Sequence, residues 1–493
     1  MEHSITERGV EEKWFEDIAQ AVGGTSPHGR GLPRLHCTRR IARAKFAGIW
    51  YLLGFYPVNS VGPLIEGVLM PESVRPEPSR FYRWMVLIFL SVAMFGNYYV
   101  YDALSPLADV LKQQLGFSDS NIGLLQAIYS FPNIFTVVIG GVLIDRLGLR
   151  RSLMIFGVLC LIGPGITAAS GHLWLMATGR LIFGMGAESL IVAVTAALAR
   201  WFKGKELSFA FGINLTICRL GSFAALNSPT WARSAYANWR WPFLIALAVS
   251  SLCVIGAVIY WIMEVHAEKT YHLGEVSTDK VVFADLFKFG VSYWYIVALC
   301  VTFYSAIFPF QTFAVKFFME AHGTSREFGG FLSSTLTLFG MIATPLFGLM
   351  VDRVGKRAIL MMFGSLLLIP VYLTMGYTHI NLYVPMAMMG VAFSLIPAVM
   401  WPSVAYIVDQ SKLGTAYGLM TMIQNIGLFG FNLVIGWAND FGRASAENPG
   451  GYHLGMWIFS ILGFWGVFFA FLLRQREVGP HGHGLETITT ASH

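Results

Sequence analysis

From residue 82 onward the chain is built from apolar runs of about 20 residues, the length that crosses the hydrocarbon core of a bilayer, and twelve of them follow one another. They lie near 83–104, 121–144, 152–170, 173–200, 205–230, 240–263, 291–318, 328–350, 357–376, 381–408, 413–438 and 453–474. Inside lipid each backbone polar group must be satisfied within the protein, and a lone segment of this length does so only as a helix. The prediction is an all-α membrane protein of twelve transmembrane helices. Only 13% of residues are charged and mean hydropathy is +0.59, about half the charge of a soluble domain. The net charge of +6 would suggest nucleic acid for a soluble chain. Here the basic residues sit in short loops between the runs, so no nucleic-acid partner is expected and lipids are the surroundings. With both ends on one side, the loops there hold Arg146, Arg150, Arg151, Arg200, Lys203, Lys205, Arg353, Lys356 and Arg357. That side carries roughly twice the Lys and Arg of the other, which puts both termini in the cytoplasm.

The longest internal polar stretch, 265–289, divides the spans six and six, and the halves repeat each other. "GVLIDRLGLRR" at 141–151 is answered by "GLMVDRVGKR" at 348–357, with Asp145 and Asp352 at an offset of 207. At an offset of 206, Leu207, Ala210, Phe211, Gly212 and Gly221 meet Leu413, Ala416, Tyr417, Gly418 and Gly427. Parallel repeats of this kind characterise secondary transporters that hold substrate between the halves near the midplane. The expected layout is an extension at 1–80, a six-helix bundle at 81–264, a cytoplasmic linker at 265–289, a second bundle at 290–475 and a cytoplasmic tail at 476–493. Within the extension, Pro57, Pro63 and Glu66 argue against a thirteenth span, since such breakers cost about 3 kcal/mol each in a helix interior. That segment is read as interfacial or disordered. No signal peptide is expected, because the start lacks a basic region followed by an apolar core and cleavage site.

The duplicated G-x-x-x-D-R-x-G-x-R resembles the loop signature of the major facilitator superfamily, which implies that superfamily's fold of two six-helix pseudo-repeats. Gly148 and Gly355 would supply tight turns, and Gly141, Asp145, Arg146, Asp352 and Arg353 complete the candidate gating set. The chemistry is a carboxylate set against the N-terminus of a facing helix, where the macrodipole attracts negative charge.

Few ionisable residues fall within the spans: Asp102, Arg180, Glu188 and Arg219, with Lys316 near an end. Burying one costs about 3 kcal/mol or more unless it faces the protein interior or water and finds a partner. Glu188 lies 12 residues before Arg200, and Arg219 lies 14 after Lys205. At 1.5 Å per residue both reach roughly 18–21 Å into the membrane, at matching depth on consecutive antiparallel helices. The repeat pairs Glu188 with Ser394 and Arg219 with Asn425, so the charges are present once only. A packing device would serve both halves, whereas a ligand-orienting device is needed once. Arg180 reads equally as a structural residue.

"GRLIFGMGAESLIVA", "WFKGKEL", "CRLGS", "IFPFQTFAVKFF", "WPSVAYIV" and "LGTAYGLMTMIQNIGL" together resemble the lysosomal dipeptide transporter branch, over about residues 84–474. The resemblance implies that Glu188 and Arg219 hold the two ends of a dipeptide. Ala187 stands where that branch has a second glycine. No acidic dileucine signal occurs near the N-terminus, and no N-x-S/T site lies in an outward loop, since Asn214–Thr216 falls within a span. A plasma or bacterial inner membrane is therefore expected rather than a lysosome, with no accessory glycoprotein subunit and a monomeric chain.

The expected function is dipeptide transport by alternating access, as a uniporter. Arg219 would fork onto the carboxylate and Glu188 would accept from the ammonium, so loading exchanges one neutral arrangement for another without a coupled ion. Asp102 could carry a proton or help hold the ammonium. Tyr98, Tyr101, Tyr129, Tyr304, Trp401 and Asn425 are candidate linings. The alternative is a proton-coupled symporter of organic anions or sugars, and a more remote one is a non-transporting receptor or scaffold. An enzyme is not expected, because no nucleophile, metal cluster or phosphate loop occurs in a consistent setting. No cofactor or metal is indicated.

Overall fold

The structure, a computed structural model, describes residues 76–202, 206–273, 289–480 and 482–489. The described residues form helices and no strands. Six long helices make the first half: α1 (Arg80–Asp102), α2 (Asp119–Leu147), α3 (Leu149–Ala169), α4 (Leu173–Phe202), α5 (Leu207–Leu226) and α6 (Arg240–Thr270). Six more make the second: α7 (Val291–His322), α8 (Arg326–Val354), α9 (Arg357–Tyr377), α10 (Tyr383–Ile407), α11 (Leu413–Phe441) and α12 (His453–Val478). Eleven helices are long and apolar enough to cross a membrane, and α2 makes twelve when its two bent parts count as one span. The first passage is longer than expected. After α1 the chain turns through Ser105–Leu107 into a further helix, Ala108–Leu115.

Short connections make successive helices antiparallel, so the bundle has two ends. The end carrying Asp119 and His322 is called distal, and the end carrying Gly148 and Gly355 proximal. At the distal end the repeat extends into the caps. Gly116 and Gly323 close the preceding helices in the left-handed region, at φ 68° and 64°, where glycine has no Cβ to clash. Ser118 and Ser325 then cap α2 and α8, each accepting from a backbone N–H at 3.2 Å. These positions also stand 207 apart. At the proximal turns, Gly148 and Gly355 adopt φ 81° and 67°, consistent with the tight turns expected of them.

One apolar core fills the first half around Val86, Leu90, Leu153, Ala197 and Cys253. The second fills α7–α12 and continues at the distal end through Leu107, Leu111 and Ile122 of the first half. The halves therefore pack together distally. Gly330 on α8 shows how closely: a Cβ there would lie 2.3 Å from the Leu226 carbonyl oxygen on α5. Gly330→Val is expected to hold these ends apart. A cysteine replacing the buried Leu107, in a chain lacking its other cysteines, should then react faster with a membrane-impermeant maleimide added from the distal side.

The expected extension 1–80 lies outside the described residues up to residue 75, and so do residues 274–288 of the linker. The first part of that linker is helical, because α6 runs on to Thr270. Part of the tail is docked on the second loop motif. Leu485 is fully buried, the carbonyl of Glu486 accepts from the Lys356 N–H at 3.0 Å, and its carboxylate accepts from the Ala358 N–H at 2.7 Å. Arg357 donates to the Ile488 carbonyl at 2.6 Å. A carboxylate thus sits on the N-terminus of α9, where the macrodipole favours it. Leu485→Ala is expected to cost about 2–5 kcal/mol, the scale of a large-to-small change in a core. It should lower the melting temperature of the detergent-solubilised chain, and Thr487→Ala should not.

Candidate functional site

Between the halves, near mid-helix, lies a cavity of about 260 Å³, roughly twenty times what a single water needs. It can hold a small molecule, not just an ion. Asp102, Tyr101, Tyr98 and Asn97 reach it from α1, Tyr129 from α2, Glu188 from α4 and Arg219 from α5. The second half contributes Tyr304, Phe308 and Gln311 from α7, Thr337 from α8, and Gln424 and Asn425 from α11.

Glu188 comes close to α2 because α4 carries Gly184 one turn earlier, where a Cβ would lie 2.3 Å from the Tyr129 carbonyl. The Tyr129 hydroxyl then donates to the Glu188 carboxylate at 3.4 Å. Arg219 points across the seam, its guanidinium 5.1 Å from the Phe393 ring centroid on α10. The depth count therefore brings both residues to one cavity, but among the described ion pairs they do not join each other. Depth along a helix sets height and leaves the lateral gap open. Their counterparts in the repeat bond within their own helices, although Asn425 still lines the cavity. Ser394 donates to its own helix at the Gly390 carbonyl, 2.9 Å, and the Asn425 amide does the same at Thr421, 3.0 Å. Only the first half offers charge to the cavity.

Trp401 requires a correction, because it does not line the cavity. Its indole N–H donates to the Tyr304 hydroxyl at 3.0 Å and its carbonyl accepts from Tyr417 at 3.0 Å, so it stands behind Tyr304 and fixes that ring. Arg180 is buried and donates to the carbonyls of Leu125 and Val100 at 3.2 and 3.1 Å and to the Gln126 side chain at 2.5 Å. It ties α1 and α2 to α4. Of the gating set, Asp145, Arg146 and Gly148 are exposed at the proximal end, while Gly141 sits within α2. In the second copy Asp352 accepts from Arg357 at 3.3 Å, with Arg353 exposed beside it.

Sequence reasoning passed over the polar seam at the distal end. Lys316, fully buried, donates to both oxygens of Asp119 at 2.7 and 2.6 Å, with Glu320 at 3.3 Å. Arg326 donates to Asp109. These two pairs are images of each other: 109 corresponds to 316 and 119 to 326, both at an offset of 207. The first half carries both acids and the second both bases. A third correspondence joins Arg233 to Glu327 at 3.0 Å and Asp440 to the backbone N–H of Ser120 at 2.8 Å. Asp440 also accepts from the Asp119 N–H at 2.8 Å, a carboxylate on the N-terminus of α2. Every one of these bridges between the halves lies at the distal end. Extending the repeat outward from Asp145 and Asp352 would have flagged all these positions.

The family profile of the Major Facilitator Superfamily matches residues 90–315 and 308–489. The lysosomal dipeptide transporter MFSD1 of Danio rerio is 33% identical over 369 residues, 72% of this chain and 80% of the relative. Its Homo sapiens counterpart is 32% identical over 375 residues, covering 73% and 81%. Both names say lysosomal, which does not favour the plasma or bacterial inner membrane expected above. In fold, the chain matches a mutant of the nucleoside transporter NupG at a TM-score of 0.64 and 14% identity, over 79% of this chain and 99% of that one. It also matches a bacterial homolog of the human lysosomal transporter Spinster, inward-facing and unoccupied, at 0.62 and 17%, over 81% and 98%. A multi-pass membrane protein with the fold of these transporters, matched by the family profile along most of its length and about a third identical to these relatives, this chain belongs to the major facilitator superfamily and, within it, to the branch of the lysosomal dipeptide transporters.

Proposed function

We propose that the chain moves dipeptides across its membrane by alternating access, as a uniporter. The observation that carries this reading is that Glu188 and Arg219 line a single cavity between the halves, with Asp102 a second carboxyl on the same wall, and that Glu188 and Arg219 do not pair directly. A dipeptide zwitterion presents an ammonium and a carboxylate separated by one peptide group, and it fills such a gap with both charges compensated. The named relatives support the same substrate class. With Asp102 in its protonated form, no coupled ion is needed for charge balance.

The distal seam is read as the closed gate of a state open towards the proximal end. Lysine and arginine are concentrated at that proximal end, which supports both termini being cytoplasmic and the state being inward-facing. The duplicated Asp145 and Asp352 loops would then fasten the opposite, cytoplasmic gate. The test is counterflow in liposomes with a dipeptide, a tripeptide, a free amino acid and an N-acetylated dipeptide. Only the dipeptide should exchange well. Equal exchange of all four would end the assignment.

A second reading rests on Asp102, which lines the same cavity and can accept a proton. A proton-coupled symporter of organic anions would use Arg219 as its anion clamp. Acidification of the liposome interior on substrate addition would favour it over uniport.

A further inference from the structure

Four primary amides line the cavity, and three are partly engaged. The Asn97 side chain donates to the Ala187 carbonyl at 3.1 Å, Asn425 donates to Thr421 at 3.0 Å, and the Gln424 oxygen accepts from the Cys300 thiol at 3.5 Å. Gln311 differs. It is 6% exposed, it lines both the main cavity and the one-water chamber beside it, and its side-chain amide makes no hydrogen bond among the described residues. With no partner among those residues, its amide faces the cavity, where water or a ligand supplies its hydrogen bonds.

We propose that Gln311 reads the peptide group of the substrate, its side-chain oxygen accepting from the peptide N–H. This rests on the dipeptide reading above. With the two ends held by Glu188 on α4 and Arg219 on α5, both in the first half, the group between them faces the second half, where Gln311 stands on α7. A trans peptide group points its N–H and C=O to opposite edges, so Gln311 engages one edge, and its side-chain oxygen is the acceptor that the N–H edge needs. The backbone carbonyl of Gln311 accepts from the Ser105 hydroxyl of the first half at 2.5 Å. Gln311 therefore sits where substrate and seam meet. A ligand that engages it touches both halves, as one that drives them to exchange states must.

The experiment compares a dipeptide with its ester analogue, in which the peptide N–H is replaced by oxygen, in counterflow with the full chain in liposomes. Half-saturation of the wild type should rise about 3- to 10-fold on ester replacement, the scale of one neutral hydrogen bond. In Gln311→Leu the two ligands should bind alike. Gln311→Glu, which keeps an acceptor, should retain discrimination and guards against a fold defect in the leucine variant. An unchanged ester penalty in Gln311→Leu would overturn the assignment. C-terminal amidation, run in parallel, separates the two claims. If amidation weakens binding while the ester penalty is unchanged in Gln311→Leu, only the Gln311 proposal fails. If amidation costs nothing, the reading of the dipeptide's ends fails with it.

Discussion

Replacing Lys316 with Met is expected to open the distal seam. The lysine is fully buried between Asp119, at 2.6 Å, and Glu320, at 3.3 Å, so its removal leaves two carboxylates with only the partly exposed Lys112, 3.8 Å from Asp119, as a nearby cation among the described residues. Breaking a buried pair by removing one partner costs about 3–5 kcal/mol. That loss falls mainly on the closed-seam state, because only there do the two halves meet at the distal end. The equilibrium should shift by about 10²- to 10³-fold or more. The reporter is again a cysteine at Leu107, which should turn from protected to reactive from the distal side. Lys316→Met combined with Asp119→Leu should restore much of the protection, because the fully buried carboxylate is then gone, while Glu320 is partly exposed and still accepts from the Tyr452 hydroxyl. The pseudo-symmetric pair predicts a smaller effect for Arg326→Met, since Arg326 is 22% exposed and water can compensate Asp109.

The charges at the cavity should behave in the opposite way. Arg219 has no ion-pair partner among the described residues, so Arg219→Gln is expected to abolish dipeptide exchange while leaving the melting temperature of the ligand-free chain nearly unchanged. Glu188→Gln should do the same. Loss of a charge-assisted hydrogen bond is worth about 1.5–3 kcal/mol, or roughly 10- to 150-fold in affinity. Both substitutions together should remain folded and inactive, because a neutral pair cannot hold a zwitterion. Recovery of exchange in the double variant would make both residues structural.

Much of this was legible in the sequence because its strongest signals are local. Apolar runs gave the spans, and the duplicated loop gave the superfamily. A count along α4 and α5 brought Glu188 and Arg219 to one depth. Azimuth was not legible, which is why the two charges share a cavity without touching. The distal seam was missed for a different reason. Asp119 begins α2 two residues before the apolar run, so it read as loop, and Lys316 read as a residue near a span end because its partner lies 197 positions away. Asp109 sits on the helix Ala108–Leu115, whose polar face hid it from a search for spans. Trp401 drew attention as a large aromatic, yet it supports Tyr304 from behind. Gln311 carries no charge in "FPFQTF" and drew none, although it stands on the cavity.

The most direct test of the central claim, that Glu188 and Arg219 read the two ends of a dipeptide, is a cycle of ligand and protein changes measured as half-saturation in counterflow. Wild type, Glu188→Gln and Arg219→Gln would each be titrated with a free dipeptide, its C-terminal amide and its N-acetyl form. Where a variant no longer exchanges, binding to the detergent-solubilised chain replaces counterflow. Amidation should cost the wild type and Glu188→Gln roughly 10-fold or more, and should cost Arg219→Gln little. N-acetylation should cost the wild type and Arg219→Gln, and should cost Glu188→Gln little. Equal penalties in all three proteins would contradict the account, because the two charges would then not be measuring the ends of the substrate.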